Sequence, residues 1–525
     1  MNEKRILAGL VQRWAGKNHP NQIAAVFKDR TMTYGELDEA TNRLANALLG
    51  LGLKTGDRVA ALCKNGLEIL IVNWGVERAG LALTRLHAPD ALEARNYILE
   101  HSEAKAMIMP AAYFEEWKNS EYGKKPSRIE IAFPSSPLPG VLSFDRLLAE
   151  ASPKDPEVVV GPDDLFMIGF SSGTTGRPKG FVYTVGQWQN RLRNDFFNQD
   201  IIIDHHDVLL SVAPLTHAAG VVARPYMMKA AKQIILEDYE VEETLQAIQR
   251  EKVTAFFMVP TMLVRLVNHP MVREYDLSSV KRIYYSSAPM PVETLKKAIE
   301  IFGPKVFRQH YAVGEHPQPV CLLYPDDHVI DGDEEKERRL ASVGRLCIGS
   351  ELKVVDENGQ AVGPNITGEI WIRGDASMRE YWKDPELTAE AFVNGWFRTG
   401  DVGFLDEGGY LLLVDRMKDM IISGGFNIYP REVEQTLEAH PGVLEVCVFG
   451  IPDDEWGESI KACVVLKAGA SLTEQEISDW CATRLARFKK PRHVEFMDEL
   501  PKGPTGKILR RALRDPYWKG RQRNI

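Results

Sequence analysis

The feature that most constrains the fold is an alternation of helical segments with short strands of the buried type. Thr33 and Glu36 have the spacing of a capping box, and apolar residues follow them at helical spacing from Leu37 to Leu48. Short apolar runs expected in strands covered on both faces occur at Lys105–Met109, Ile129–Phe133 and Arg282–Tyr285. This alternation predicts α/β layers around a largely parallel sheet.

The pattern changes in the last third of the chain. From about residue 345 to 416, short strands alternate with glycine-rich turns, which predicts a small β-rich subdomain. A compact α+β unit follows, with one helix opened by the pair Thr473 and Glu476. We therefore expect a large N-terminal domain over residues 1–416, made of layered α/β subdomains and the β-rich one, and a small α+β domain over residues 417–525.

Composition and charge exclude several classes of protein. The net charge of -9 argues against a general nucleic-acid binder. The six cysteines stand singly, which disfavours a disulfide scaffold and favours a reducing cytoplasm. We find no uninterrupted apolar run of membrane-spanning length, and the polar start Met1–Arg5 differs from a secretory signal. The expectation is a cytoplasmic protein without a membrane span.

The C-terminal stretch carries the opposite charge from the rest of the chain. Between Ala482 and Ile525 there are 13 Lys and Arg residues against 4 Asp and Glu residues. A solvated basic tail is the ordinary interpretation of such a run. The alternative is that this end meets a polyphosphate.

One stretch has the chemistry of a phosphate-binding loop. Residues 170–180 combine glycines, hydroxyl side chains and two cations directly after the strand candidate Leu165–Phe170. Glycines let the backbone approach a ligand closely, and hydroxyls and cations suit an anionic polyphosphate. The stretch is not a P-loop, because Pro178 precedes Lys179 and Gly180 follows it.

This stretch resembles the phosphate-binding signature of the adenylate-forming superfamily, which comprises acyl-CoA synthetases, firefly luciferases and the adenylation domains of peptide synthetases. Further segments resemble the family's motifs in the expected order, and they are Pro214–Gly220, Ser286–Pro289, Gln309–Glu315, Thr399–Asp401, Asp415–Asp419, Ser423–Pro430 and Pro501–Lys507. The resemblance implies an AMP-forming carboxylic acid:CoA ligase with a mobile small domain. It implies ATP, Mg²⁺ and coenzyme A as cofactor and co-substrates, a small-molecule acid as partner, and a homodimer as the possible assembly.

The resemblance also implies roles for individual residues. Lys507 would bridge the acid's carboxylate and the α-phosphate, Glu315 would hold Mg²⁺ together with Thr174, and His217 would flank the carboxylate. Asp401 would accept from the ribose hydroxyls. The implied nucleotide site consists of Ser171, Ser172, Gly173, Thr174, Thr175, Gly176, Lys179, Ser287, Ala288, Pro289, His310, Tyr311, Ala312, Gly314, Asp401 and Arg416.

The remaining implied roles concern the second half-reaction and the acid. Lys418 would be the hinge between the domains, and Gly424 and Gly425 would line the tunnel for the pantetheine arm. The acid pocket would be lined by Val221, Val222, Arg224, Tyr285 and Ser286, with His310 and Ala312. This mixture of aromatic, small and polar groups favours a medium-chain, alicyclic or aromatic acid over acetate.

Several positions depart from the family pattern. Ala312 stands where Gly is usual, and Gly314 stands where a Thr or Ser hydroxyl normally contacts the α-phosphate. Ser286 and Ser287 replace the commoner Gly-Gly pair, and Val185 stands where many relatives carry His. Two alternatives therefore stay open: a free-standing ligase that loads an acyl carrier protein, and a degenerate homologue that binds nucleotide or acyl-adenylate without making it.

Overall fold

The computed structural model describes residues 6–87, 90–124, 128–134, 138–171, 178–198, 202–424, 426–503 and 506–519. Four larger β-sheets organise these residues, and a two-stranded pairing of Ile6–Leu7 with Val159–Val160 lies beside them. The predicted α/β class, with a large N-terminal and a small C-terminal part, is confirmed.

The first sheet has seven strands and is parallel except at one edge. From that edge its order is Lys179–Thr184, Leu165–Ser171, Ala82–Leu86, Arg58–Leu62, Ala106–Pro110, Ile129–Phe133 and Leu142–Ser143. Only the edge pair Leu165–Ser171 and Lys179–Thr184 is antiparallel, with Ser171 opposite Lys179. The strands predicted at 105–109 and 129–133 are confirmed within one residue.

The second sheet has nine strands, and its centre is parallel. Its order is Arg345–Leu346, His316–Leu323, Phe307–Val313, Arg282–Tyr285, Ala255–Met258, Val208–Ser211, Lys232–Ile235, Ile23–Phe27 and Arg30–Thr33. Residue 345 therefore pairs with this sheet, and the β-rich pairing begins at Ser350. The expected boundary near 345 thus falls at a short exposed strand that pairs with the large sheet.

The third and fourth sheets are small and largely antiparallel. The third contains Ser350–Val355, Gly368–Gly374, Phe392–Val393, Trp396–Leu405 and Leu411–Arg416. The fourth contains Ile421–Ser423, Phe426–Ile428, Val443–Asp453, Gly457–Leu466 and His493–Phe496, of which the last pairs in parallel. The fourth sheet has its own apolar core, around Val433, Val448 and Ile477.

Helices cover the sheets, and three of them supply most of the helical residues of one apolar cluster between the two large sheets: Tyr34–Gly50, Leu67–Arg78 and Ala218–Met228. The other helices are Arg13–Asn18, Leu92–His101, Ala111–Lys118, Phe144–Glu150, Val185–Phe197, Val241–Glu251, Pro260–Val267, Val292–Phe302, Glu334–Arg338, Pro385–Ala391, Pro430–Glu438, Glu474–Ala482 and Arg510–Trp518. Both predicted capping boxes form, at Thr33 and at Thr473. Within the described ranges, every helix is too short or too polar to cross a membrane.

Candidate active site

Asp401 is the centre of a hydrogen-bonded trio. It lies in strand Trp396–Leu405, directly opposite Arg416 of the neighbouring antiparallel strand, and Arg416 Nε is 2.9 Å from Asp401 Oδ1. The Tyr311 hydroxyl donates to Asp401 Oδ2 over 2.7 Å. Asp401 raises the pKa of Arg416, and burial, with a smaller contribution from Asp401, raises the pKa of Tyr311. The carboxylate is thus fixed and 6% exposed, as a receptor for a diol requires.

The C-terminal tail reaches this trio by contacting the large domain. The Thr261 hydroxyl donates to the Gly506 carbonyl over 2.9 Å, and Gly506 adopts a φ of +74°. A Cβ at this position would lie 3.1 Å from both Thr261 Oγ1 and Val259 Cγ2. Glycine therefore permits both the backbone turn and the close approach, and the next residue is Lys507.

Lys507 lies in the electrostatic field of the trio. Its side chain is exposed to solvent, and Asp401, Arg416, Lys418 and Arg510 lie near enough to act on its charge. Burial lowers the pKa of the Lys507 ammonium to about 8; Arg416 acts in the same direction and Asp401 opposes it. An anion that arrives beside Lys507 stabilises its charged form, because the anion offsets the cost of burying the charge.

If Lys507 acts in the ATP-dependent activation that the family resemblance implies, its lowered pKa predicts a pH dependence for that step. Below about pH 8 the free protein carries the ammonium, and above it the charge is lost, so kcat/KM for ATP should fall as the pH rises past 8. At high pH the decline should approach roughly tenfold per unit. Steady-state rates between pH 6.5 and 10 measure it. The Lys507→Arg variant should lack this decline, and the same midpoint in that variant would contradict the assignment.

Glu315 and Lys179 both lie near Tyr381. The Tyr381 hydroxyl donates to Glu315 Oε1 over 3.0 Å, and Lys179 Nζ lies 6.0 Å from the centre of the Tyr381 ring. Residues 379–382 run beside strand Lys179–Thr184, since Val182 N donates to the Glu380 carbonyl and Phe181 forms a bridge with Tyr381. This pairing brings the Glu315 carboxylate and the Lys179 ammonium to the same tyrosine.

The interior of the phosphate loop lies outside the described residues, and with it the expected ligands Ser172, Gly173, Thr174, Thr175 and Gly176. The described flanks form an antiparallel stem in which Ser171 pairs with Lys179. Gly425 also lies outside the described part of the chain. Gly424 is described: its φ is +58°, and its N–H donates to the Trp456 carbonyl over 2.8 Å. A Cβ there would lie 2.6 Å from the Trp456 ring, so the loop needs glycine at this point.

His217 stacks on a second histidine. It precedes helix Ala218–Met228, its ring centre is 4.2 Å from that of His87, and its Nδ1 is 2.9 Å from the Thr216 hydroxyl. Burial, followed by the charges of neighbouring groups, lowers the pKa of His217 to about 3 and that of His87 to about 4. Both rings are therefore neutral at physiological pH, and His217 can act there only as a hydrogen-bonding or packing group.

A cavity of about 60 Å³ lies between helix Ala218–Met228 and the second sheet. Of the residues expected to line the acid pocket, those on its wall are Val221, Val222, Ser286, His310 and Ala312. Other wall residues are Arg191, Asp195, Asn198, Ala218, Pro225, Tyr226, Phe257, Tyr284, Pro317, Pro319 and Leu322. The cavity is thus mainly apolar, with polar side chains at a few points.

Two expected pocket residues lie elsewhere. Tyr285 is fully buried on the opposite face of its strand, where its hydroxyl is 2.9 Å from His328 Nε2. Side chains alternate along a strand, so Tyr284 and Ser286 face the cavity and Tyr285 faces away. Arg224 is buried and makes an ion pair of 2.7 Å with the partly buried Glu77. It is therefore not on the wall of this cavity, and its charge is paired with Glu77.

The turn after this strand carries backbone strain. Ser287 is exposed and has a φ of 75°, in the left-handed region that favours glycine. Ala288 and Pro289 follow it, and the Ser286 hydroxyl donates to the His310 carbonyl over 2.7 Å. The serine pair that replaces two glycines thus keeps a glycine-type turn, and the Ser286 contact holds it against the strand of His310.

Lys418 lies in a short turn between the two parts of the chain, within the 3₁₀ segment Met417–Asp419. Burial and then Arg416 lower the pKa of Lys418. On either side of it, Asp415 Oδ2 accepts from the Arg431 N–H over 2.7 Å, and Asp419 pairs with Arg510 over 2.9 Å. Charged contacts thus fix both ends of the turn that contains Lys418.

Sequence reasoning missed Tyr381, His87 and Arg191. Tyr381 belongs to no quoted motif and contacts Glu315 across 66 positions of sequence. His87 did carry a usable signal, because it directly follows the C-terminal end of parallel strand Ala82–Leu86, where such sheets place ligand-contacting side chains.

Comparison with known proteins gives consistent matches over almost the whole chain. Residues 11–382 match the family model described as AMP-binding enzyme, and residues 432–507 match the model of the AMP-binding enzyme C-terminal domain. A medium/long-chain-fatty-acid–CoA ligase, FadD8 of Mycobacterium tuberculosis, is 32% identical over 97% of this chain and 90% of its own. A feruloyl-CoA synthase of Amycolatopsis sp. is 34% identical over 94% of this chain and 96% of its own. The crystal structure of ATP-bound MatB from Rhodopseudomonas palustris superposes with a TM-score of 0.86 at 29% identity, covering 98% of this chain and 99% of that one.

Proposed function

We propose that Lys507, Glu315 and the Asp401 trio carry the activation of a carboxylic acid by ATP. The chain belongs to the AMP-binding enzyme family, and within it to the AMP-forming acyl-CoA ligases. The trio is Asp401 with Tyr311 and Arg416. The contact of Gly506 with Thr261 supports this most directly, because it sets Lys507 beside the trio.

Activation joins two anions, and this is where Lys507 acts. A carboxylate oxygen of the acid attacks the α-phosphorus of ATP, the bond to the bridging oxygen breaks, and pyrophosphate leaves with that electron pair. The products are an acyl-adenylate and pyrophosphate. The Lys507 ammonium donates to the carboxylate and the α-phosphate, which lowers their repulsion. Asp401 accepts from the ribose hydroxyls and fixes the nucleotide for in-line attack.

Glu315 has the donor chemistry that Mg²⁺ prefers. Its Oε1 accepts from Tyr381, which holds the carboxylate in one orientation. Among the described residues, no cluster of three or more His, Cys, Asp or Glu side chains could hold a metal by itself. One carboxylate combined with substrate phosphates and water is the usual arrangement for Mg²⁺. The bound ion would neutralise charge on the phosphates.

The second half-reaction needs the site to be rebuilt. The thiol of coenzyme A loses its proton to water and attacks the acyl carbonyl carbon, the carbon–oxygen bond to AMP breaks, and AMP leaves as an anion. We propose that the small domain, residues 417–525, turns about Lys418, breaks the contact between Gly506 and Thr261, and brings Gly424 towards the thiol. A glycine loop suits a narrow passage because no side chain obstructs it.

The wall of the cavity supports an acid with an apolar body. Its Val, Pro, Tyr and Phe side chains favour a medium-chain, alicyclic or aromatic acid. The relatives named above act on fatty and on aromatic acids at similar identity, so relatedness does not choose between the two classes.

The experiment separates the two half-reactions. Acid-dependent exchange of labelled pyrophosphate into ATP measures activation, and it is expected with medium-chain or aromatic acids. Thioester formation is then measured with coenzyme A and with a holo-acyl carrier protein in separate reactions. If a thioester forms only with the carrier protein, the acyl acceptor is the carrier and not coenzyme A. No exchange with any acid of the panel would favour the alternative of a nucleotide-binding homologue that does not activate acids.

Gly314 allows a direct test of how the missing hydroxyl limits activation. A Cβ at Gly314 would lie 3.4 Å from the Phe181 ring, an ordinary contact, and the φ of Gly314 is not positive, so serine fits. The Gly314→Ser variant should restore one neutral donor to the α-phosphate, worth about 1 kcal/mol, and lower KM for ATP by roughly fivefold. The control is Gly314→Ala, which adds the Cβ alone. Equal KM values in the two variants would show that the hydroxyl contributes nothing.

A further inference from the structure

Helix Val185–Phe197 sends two charged side chains to the wall of the acid cavity. Arg191 and Asp195 are one helical turn apart, and Arg191 Nη2 donates to Asp195 Oδ2 over 2.5 Å. Arg191 is 1% exposed and Asp195 7% exposed. Besides this pair and the amide of Asn198, the helices contribute apolar residues to the wall, among them Val221, Val222 and Pro225. A buried ion pair at the edge of an apolar cavity is expensive unless its remaining donors and acceptors are used.

Arg191 has donors to spare. Its Nη2 also donates to the Val221 carbonyl over 3.2 Å, whereas its Nε and Nη1 have no hydrogen-bond partner within the described part of the chain. Its guanidinium carbon lies 4.8 Å from the Trp188 ring, which holds the group in place without accepting a conventional hydrogen bond. Two buried N–H donor atoms thus stand ready beside a carboxylate acceptor at the wall of the cavity.

The charge of the pair decides which ligand group fits. Arg191 and Asp195 neutralise each other, so a second carboxylate would meet the Asp195 charge at close range. A hydrocarbon surface offers no acceptor, so it would leave Arg191 Nε and Nη1 without a hydrogen-bond partner. A hydroxyl group suits both partners, since its oxygen accepts from Arg191 and its hydrogen is donated to Asp195.

We infer that the acid substrate of this ligase carries a hydroxyl group on its hydrocarbon part, and that Arg191 and Asp195 bind this group. The inference rests on the proposed function, because it places the acid in this cavity. Arg191 is then a specificity-determining residue. A site that binds a substrate hydroxyl discriminates strongly against the analogue that lacks it.

The test compares matched acids by pyrophosphate exchange. The panel consists of 3-phenylpropanoate with its 2-, 3- and 4-hydroxyphenyl analogues, hexanoate with 3-hydroxy- and 6-hydroxyhexanoate, and adipate as the dicarboxylate. At least one hydroxylated acid should exceed its parent in kcat/KM by roughly tenfold or more. Exchange that shows no such preference, or that favours the parent acids or adipate, overturns the inference and leaves the proposed function standing. Exchange with no acid overturns the proposed function, and the inference with it.

Variants then locate the preference. Arg191→Lys keeps the charge but loses the forked donors, so the ratio of kcat/KM between hydroxylated and parent acid should fall towards one. Arg193→Lys on the same helix, whose side chain pairs with Asp375 at the surface, is the matched control and should keep the ratio. A ratio unchanged in Arg191→Lys contradicts the assignment, and an equal loss with both acids contradicts it too. If this variant does not fold, Asp195→Asn removes the acceptor charge and should lower the same ratio.

Discussion

Replacing Lys507 with alanine is expected to abolish most of the activation step while sparing the thioester step. The variant loses the one ammonium that the tail carries to the trio, and no neutral group can offset the repulsion between carboxylate and phosphate. Removing one preorganised donor of this kind typically costs a factor of roughly 100 to 1,000 in rate. Pyrophosphate exchange should fall by that factor. Thioester formation from chemically prepared acyl-adenylate and coenzyme A should stay within a few-fold of wild type.

The matched control for Lys507 lies in the same tail. Lys502 pairs with Glu445 over 2.7 Å within the small domain, so Lys502→Ala removes a tail lysine without touching the trio. Both half-reactions should then keep nearly their full rates. Equal losses of exchange in the two variants would indicate that the tail's total charge matters, and would remove Lys507 from the mechanism.

Replacing Asp401 with alanine should have the second largest effect. The change removes the proposed acceptor for the ribose hydroxyls and leaves the Tyr311 hydroxyl and the Arg416 guanidinium without their carboxylate. Two hydrogen bonds to a charged group are worth about 3 kcal/mol together, so KM for ATP should rise by roughly 100-fold or more. Calorimetric titration with AMP gives an independent measure.

The Asp401→Ala change should lower the free energy of unfolding by less than the loss of a fully buried ion pair would. The Arg416 side chain is 43% exposed, so water takes over part of the lost interaction, and we expect a loss of about 1–2 kcal/mol in chemical denaturation. Tyr311→Phe is the control, because it removes one hydroxyl and keeps the carboxylate. Its effect on KM for ATP should be several-fold at most. A Tyr311→Phe variant as impaired as Asp401→Ala would falsify the assignment of the ribose to the carboxylate.

The sequence predicted best what is encoded locally. Both capping boxes and the strands at 105–109, 129–133 and 282–285 depend on residues within a few positions of each other, and the structure contains them. The family was identifiable because its motifs are contiguous. Comparison of the chain with known proteins confirms the ligase class.

Relations across the chain were harder to predict. Tyr285 was assigned to the wrong face because the phase of a four-residue strand depends on which face of the sheet meets the cavity, and sequence alone does not give that. Tyr381 and Arg191 reach the site through pairings of separate elements, and neither belongs to a motif. Arg224 follows a motif that suggests a pocket residue, but it forms an ion pair with Glu77, which is far away in sequence.

The hydrogen bond from Thr261 to Gly506 holds the tail against the large domain only weakly. A neutral hydrogen bond contributes about 1 kcal/mol, so its loss changes the ratio of attached to detached tails by only about fivefold. A hydrogen bond of this strength therefore leaves both the attached and the detached position of the tail, and with it of Lys507, accessible. Residence of the tail would then follow the negative charge of the occupant: long while triphosphate and carboxylate are both present, and short once pyrophosphate has departed. The enzyme would need no separate signal to advance from one half of its cycle to the next.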